Sequence, residues 1–235
     1  MSLTEHLPTE NRVLSMISSA EYRRLRPNLE QVVLQRDTVL YTPGDVITHI
    51  YFPGDSIVST LLEMDKRPPV EVAMHGNEGV VGVAAYLSGV TSGNHAIVRA
   101  TGSAQKVDVV SLRNHVDRRG QLQSLLHKSA HALLMQITQS GACNRFHSIK
   151  ERLILWLLMT QDRIGTNSIR ATQENIACMM GVRRSGITHA ASSLQTRQLI
   201  DYRRGHILIL DRPRLRSACC NCYVAMKNHY DSFLK

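Results

Sequence analysis

The sequence has no apolar run long enough to cross a bilayer, because the longest, from Leu153 to Met159, is far too short. No apolar signal-peptide core occupies the first residues. The five cysteines are odd in number and crowd the C-terminal half, which argues against a disulfide framework. We therefore expect a soluble protein of the reducing cytoplasm that does not contact a membrane.

Motifs of catalysis are also missing. The sequence contains no nucleophile elbow, no phosphate-binding loop and no metal-hydrolase spacing. Scattered histidines alone do not make a catalytic site. We expect a protein that is not an enzyme and that holds no cofactor and no metal.

Nearly all of the net positive charge lies in one part of the chain. Residues 1–144 hold 13 Lys/Arg and 13 Asp/Glu, whereas residues 145–216 hold 13 and 5, out of a net charge of +9. Twelve of those 13 cations are arginines, whose planar guanidinium suits phosphates and guanine edges. A solvated basic surface is the alternative, but this concentration of arginine favours a nucleic acid partner.

The N-terminal half has an all-β pattern. Between about Val32 and Val110, short β-branched and apolar runs are separated by Gly, Pro, Asp and Asn. The runs are residues 39–41, 47–52, 57–62, 70–74, 96–100 and 105–110. Pro-Gly-Asp occurs at 43–45 and again at 53–55, an interval typical of a meander or jelly roll. The glycines from Gly76 to Gly93 that follow form either a plain loop or a place where backbone approaches a ligand.

From Gly120 to Cys143 the apolar period becomes that of a helix. A narrow seam follows steps of three and four residues: Leu122, Leu126, Ala130, Leu133, Ile137 and Ser140. The seam packs either on its own domain or against a second copy, and its place between a β region and a basic region favours a homodimer. A second helix is predicted from about Ser148 to Gln161, ended by Gly165 and Asn167.

Residues 172–191 have the pattern of a helix-turn-helix. Thr172 is suited to cap the first helix, and Gly181 lies where the chain must turn with positive φ. The predicted buried positions are Ile176, Met180, Val182, Ile187 and Ala190. The second helix then presents outward Arg183, Arg184, Ser185, Thr188 and His189. A purely structural helical hairpin is the alternative.

A β-hairpin wing is predicted after this motif. Residues 198–202 and 206–210 are the two predicted strands, and Arg203-Arg204-Gly205 forms the turn between them. Arginines at the tip of a wing reach the phosphate backbone and fix register without reading sequence.

The whole chain resembles the Crp/Fnr superfamily of transcription regulators, most strongly from Glu151 to Asp211. The segments that carry the resemblance are 151–153, 172–177, 181–184 and 204–211. It implies an α+β protein with a jelly-roll (double-stranded β-helix) sensor over residues 1–115, a dimerisation helix over 116–146 and a winged helix-turn-helix over 147–235. It also implies a homodimer that binds a pseudo-palindromic operator in double-stranded DNA, with RNA polymerase as a further candidate partner.

The resemblance also assigns DNA-contacting residues. Arg184, Ser185 and His189 fall where family members read base edges. The full expected set is Thr172, Gln173, Arg183, Arg184, Ser185, Thr188, His189, Arg203 and Arg204. The best-known members carry Glu and Arg in place of Ser185 and His189, so we expect a different operator.

The sensor departs from the cyclic-nucleotide-binding members. Their ribose-binding Glu aligns with Val83, and their phosphate-clamping Arg-Ser pair aligns with Asn94-His95. The candidate effector pocket is Gly79, Gly82, Val83, Asn94 and His95. We expect no tight binding of cyclic AMP, and either another signal or action without a ligand. The alternative function is a small-molecule or redox sensor whose main output is a protein partner.

Three further hypotheses concern cysteine and histidine. No cysteine precedes Cys143, which excludes the N-terminal iron-sulfur cluster of some family members. A haem ligated by His75 is less favoured than a structural histidine. For Cys219, Cys220 and Cys222, with His206 and His229 as helpers, we favour packing of small buried thiols over a metal or redox switch.

Overall fold

The computed structural model describes residues 10–65, 67–89, 91–116 and 120–234, and the N-terminal half of this part is the predicted β domain. Its strands are β1 (Glu30–Leu34), β2 (Val39–Tyr41), β3 (His49–Pro53), β4 (Ile57–Met64), β5 (Arg67–His75), β6 (His95–Ala100) and β7 (Gly102–Asp108). They form two antiparallel sheets, ordered β1-β7-β3 and β2-β6-β4-β5. The first nine residues of the predicted 1–115 domain lie outside the described residues.

Both sheets bury side chains in one core. Ile50 lies opposite Val107 in the first sheet, and Val58 lies opposite Val98 in the second. All four side chains are at most 1% exposed and belong to the same cluster. Because successive residues of a strand point to opposite faces, alternate apolar residues of each strand supply this core.

Four short helices of the β domain were not predicted. They are α1 (Arg12–Ser15), α2 (Ser19–Leu25), α3 (Val83–Ser88) and α4 (Val109–Val116). Such short segments give too little periodicity to recognise. The expectation of a strand through Val110 was wrong, because the Asp108 carboxylate accepts a hydrogen bond from the Ser111 amide at 2.8 Å and so caps α4.

The long helix α5 (Gln121–Phe146) is confirmed, but its predicted seam is divided. Leu122 and Leu126 are fully buried in the β-domain core of their own chain, so assigning them to a shared interface was wrong. Ile137 is 38% exposed, and Leu134, outside the predicted seam, is 60% exposed. The outward apolar face of α5 therefore lies in its second half.

The C-terminal part begins with α6 (Ile149–Ile164). Ser148 and Glu151 form a capping box at its start, and Gly165, at φ +68°, ends it as predicted. The remaining elements are β8 (Ser168–Arg170), α7 (Gln173–Met180), α8 (Arg184–Thr196), β9 (Ile200–Arg203), β10 (His206–Ile209), α9 (Arg212–Ser217) and α10 (Cys222–Asp231). The three strands form an antiparallel sheet in the order β8-β10-β9.

Buried polar contacts join the two parts. The Arg163 guanidinium of α6 lies 2.6 Å from the Glu78 carboxylate and donates to the Met74 carbonyl at 3.1 Å. In a second contact, the Tyr230 hydroxyl of α10 donates a hydrogen bond to the Gln136 side chain of α5 at 2.9 Å. Helix α10 thus contributes side chains to both hydrophobic cores. None of the helices in the described residues is both long and apolar enough to traverse a lipid bilayer.

Candidate nucleic-acid interface

Helices α7 and α8 form the predicted two-helix unit. The Thr172 hydroxyl accepts a hydrogen bond from the Asn175 amide at 3.1 Å and so caps α7. Gly181 ends α7 with φ +62°, in the left-handed region that glycine adopts at low cost. Three residues later the chain enters α8, with Arg183 at the N-cap.

The inner face of this unit is apolar. Ile176 and Ile187 are fully buried, and Ala190 is 6% exposed, as predicted. Met180 and Val182 pack against the same core but are only partly buried. Small Ala177 and Ala191, both nearly inaccessible, allow the helices to approach closely. The buried side fixes which face of α8 is left to solvent.

The outer face of α8 is polar and exposed. It carries the predicted residues Arg183, Arg184, Ser185, Thr188 and His189, all exposed. The Thr188 hydroxyl donates to the Gln173 side chain at 2.7 Å, which ties α8 to the start of α7. Arg184 lies 3.9 Å from Glu174, a loose and exposed ion pair that costs little to break.

The wing lies beside this face. Strands β9 and β10 pair with Arg203 opposite His206, and Arg204-Gly205 forms the turn with φ of +47° and +79°. Positive φ at both positions is typical of the tight turns that join hairpin strands. Arg203 is exposed and lies 3.0 Å from Asp201.

Two exposed residues were missed. Ser192 lies four residues after Thr188 and extends the outer face of α8, as the helical period would have shown. Arg170 of β8 lies opposite His206, on the other side of β10 from Arg203. The sequence pattern did not indicate β8, because a strand of three residues gives no alternation to recognise.

The candidate effector residues have separate local roles. Gly82, at φ +84°, precedes α3, and Val83 is 3% exposed in the β-domain core. The Asn94 backbone amide donates a hydrogen bond to the Ser92 hydroxyl at 3.2 Å, and His95 Nε2 lies 3.2 Å from the Glu63 carboxylate. The Gly79 amide closes a turn by donating to the Gly76 carbonyl at 3.0 Å.

Two cavities lie elsewhere, between the β domain and the C-terminal part. Their volumes are about 330 and 360 Å³, and both are lined by Glu71, Met74, Trp156 and Met179. Burial raises the pKa of Glu71, which accepts a hydrogen bond from Ser59. The five candidate effector residues are not among the lining residues of either cavity.

His75 is buried beside this region. It is 3% exposed, and its Nε2 lies 2.8 Å from the Thr60 hydroxyl. Burial lowers the pKa of His75 to about 4, with the nearby Arg163 cation acting in the same direction. A neutral, hydrogen-bonded ring agrees with the structural histidine that we favoured.

Comparison with known proteins identifies the C-terminal region. Residues 151–218 match the Crp-like helix-turn-helix domain family. A comparison with curated protein sequences returned no significant match.

Three solved structures share the fold of more than four fifths of the chain. FixK2 from Bradyrhizobium japonicum has a TM-score of 0.70 at 17% identity, covering 82% of this chain and 98% of that one. CLP from Xanthomonas campestris has a TM-score of 0.68 at 14% identity, covering 83% and 100%. A transcriptional regulator of the Crp/Fnr family from Eubacterium rectale has a TM-score of 0.67 at 16% identity, covering 86% and 94%. Identities this low show a shared fold.

The matched domain and the shared fold are those of DNA-binding transcription regulators that join a β-rich domain to a helix-turn-helix. Residues 151–218 belong to the Crp-like helix-turn-helix family, and the fold of the chain is shared with a solved regulator of the Crp/Fnr family.

Proposed function

We propose that the chain is a homodimeric, sequence-specific regulator whose helix α8 enters the major groove of a pseudo-palindromic operator. The observation that carries this proposal is the outer face of α8, where exposed arginine, serine and histidine side chains project from a helix held by a fully apolar inner face. B-form DNA has a major groove wide enough for one α-helix, and side chains near the start of that helix reach base edges.

The arginines divide into two roles. Arg184, in the first turn of α8, donates to a guanine edge, with Ser185 and His189 reading neighbouring positions. Arg203 and Arg204, on the wing, contact phosphates and fix register. Thr172 and Gln173 lie at the start of α7, where backbone and side-chain donors contact phosphates of the DNA backbone beside the groove.

The outward face of α5 is suited to hold two copies together. His127, Ala130, Leu134, Ile137 and Gly141 follow steps of three and four residues, and the two large apolar members are exposed. This spacing is that of a coiled-coil seam. A two-fold axis along α5 would place two α8 helices in successive major grooves, about 34 Å apart.

The signal that this regulator answers is not cyclic AMP. When a cyclic nucleotide leaves water to enter a binding pocket, its phosphate needs a cation and its ribose hydroxyl needs a hydrogen-bond acceptor. The aligned positions hold the buried, apolar Val83 and a histidine that already faces Glu63. Calorimetry should show no binding of cyclic AMP at micromolar concentrations, and a micromolar dissociation constant would contradict this part of the proposal.

Selection of genomic fragments by the purified full chain tests the function. We expect the bound fragments to share a pseudo-palindrome whose half-sites are centred about 10 base pairs apart. Affinity for the selected site should exceed that for random duplex by at least about 1000-fold and fall steeply with salt. Binding without sequence preference, or binding to an acidic protein while duplex DNA is ignored, would contradict it.

A further inference from the structure

Four potential metal ligands converge where α5 meets α10. They are Cys143, His147, Cys220 and Cys222, and their ligand atoms all lie within 4.8 Å of one another. Cys143 Sγ is 3.9 Å from Cys220 Sγ, and Cys222 Sγ is 3.5 Å from His147 Nδ1. This group was not predicted from the sequence, where His206 and His229 were the expected helpers.

Two of the six separations match the edges of a tetrahedron around one ion. With Zn–S bonds of about 2.3 Å and Zn–N bonds of about 2.05 Å, the sulfur–sulfur edge is about 3.8 Å and the sulfur–nitrogen edge about 3.6 Å. The observed 3.9 Å and 3.5 Å match both edges. Three thiolates and one imidazole make up a Cys₃His set, which is typical of closed structural zinc sites.

The fold brings the ligands together from two distant stretches of sequence. Cys143 lies in the last turn of α5 and His147 is its C-cap, so the i and i+4 positions share one helix face. Cys220 lies in the turn after α9, and Cys222 is the first residue of α10. The sequence signals are therefore a Cys-x-x-x-His at a helix end and a separate Cys-x-Cys.

The surroundings favour an anionic centre. Zn²⁺ with three thiolates carries one net negative charge, and Cys222 lies at the positive N-terminal end of α10. The Gln139 side-chain amide donates to Cys222 Sγ at 3.1 Å, as groups around a metal-bound thiolate do.

The burial of the ligands also fits a structural site. Cys143, Cys220 and Cys222 are at most 8% exposed, while His147 is half-buried at the edge. Binding of Zn²⁺ to these three cysteines would release their thiol protons to solvent, because the thiolate is the form that binds the metal.

We propose that Cys143, His147, Cys220 and Cys222 bind one Zn²⁺ with four protein ligands, and that this ion clamps α10 to the end of α5. The clamp lies at the junction between the long helix and the DNA-binding part. It replaces our expectation of simple thiol packing and of no bound metal. Cys219, the third cysteine of the C-terminal cluster, is not among the ligands.

Metal analysis of the full chain tests the proposal. The protein is purified under reducing conditions, without chelator or metal-affinity resin, and its zinc is measured by mass spectrometry. We expect about one zinc per chain. Protein produced in zinc-depleted, cobalt-supplemented medium should show the visible absorption of tetrahedral cobalt bound to thiolate.

Matched variants separate the site from general thiol effects. Cys222→Ser and His147→Gln should lose most of the metal and the cobalt spectrum, whereas Cys178→Ser and Cys219→Ser should keep both. His147 is half-buried, so its variant should fold, which circular dichroism checks. Absence of stoichiometric metal and of the cobalt spectrum from folded wild-type protein would overturn the proposal. So would a Cys143–Cys220 disulfide in the reduced preparation, or unchanged metal content in folded His147→Gln.

Discussion

At the residue scale, local chemistry explains the turn of the DNA-binding unit. The hydroxyls of Thr172 and Ser148 cap their helices by accepting hydrogen bonds from backbone amides, and both helix starts were predicted correctly. Gly181 and Gly165 end their helices in the left-handed region. The sequence did not predict contacts between residues that lie far apart along the chain, such as Cys143 and Cys220. Residue types alone do not reveal which segments meet.

Gly181 has a second constraint besides its positive φ. A Cβ at this position would lie 2.9 Å from Val70 Cγ1 on β5, whereas one at Gly165 would meet no atom within 4 Å. Gly181→Ala should therefore lower the free energy of unfolding more than Gly165→Ala. The second variant incurs only the penalty for a left-handed backbone, about 1–2 kcal/mol. Urea unfolding of both variants measures the difference. Adding Val70→Ala to Gly181→Ala should recover part of the loss, and equal costs for the two glycines would contradict the contact.

At the scale of elements, periodicity predicted the type of each long element but not which face meets which neighbour. Helix α5 carries apolar residues around much of its circumference, so one seam could not be separated from another by spacing alone. The structure assigns Leu122 and Leu126 to the chain's own core and leaves Leu134 outward. Short elements such as α3 and β8 were missed because they span less than the window that periodicity needs.

The outward face of α5 predicts the effect of a charge. In a dimer, Leu134→Glu would place two carboxylates in the shared seam. Both would lose contact with water and have no cation to pair with. We expect the variant to be monomeric at micromolar concentrations by light scattering, with much weaker binding to a full operator. Val33→Glu, at a position 65% exposed on β1, is the matched control and should remain dimeric. A dimeric Leu134→Glu protein would place the interface elsewhere.

For the whole molecule, buried charges join the β domain to the C-terminal part. Arg163 of α6 contacts Glu78 and the Met74 carbonyl, next to His75 on β5. Removing one partner of a buried ion pair typically costs about 3–5 kcal/mol, so the relative position of the two parts is held strongly. The charge distribution predicted that one part binds DNA, but not how the two parts dock.

This junction predicts a loss of stability in acid. The pKa of His75 is about 4 in the folded protein and 6.5 for an ordinary histidine, so only the unfolded chain gains this proton between those values. The free energy of unfolding should fall as pH drops from 6.5 to 4, with a slope of up to about 1.4 kcal/mol per pH unit from this group. His75→Gln keeps a hydrogen-bonding partner for Thr60 and should flatten the slope in urea unfolding. Identical slopes would contradict the assignment.

In the proposed complex, Arg184 reads a base and Arg204 contacts phosphate. Binding titrations on the selected operator and on random duplex distinguish these two roles. Arg184→Ala should lose about 1–3 kcal/mol of discrimination at one operator position. Arg204→Ala should weaken both duplexes alike and reduce the salt slope by about 1. Arg23→Ala, an exposed arginine on α2, is the charge-matched control and should change neither. Equal losses on operator and random duplex for both Arg184→Ala and Arg204→Ala would contradict the central claim.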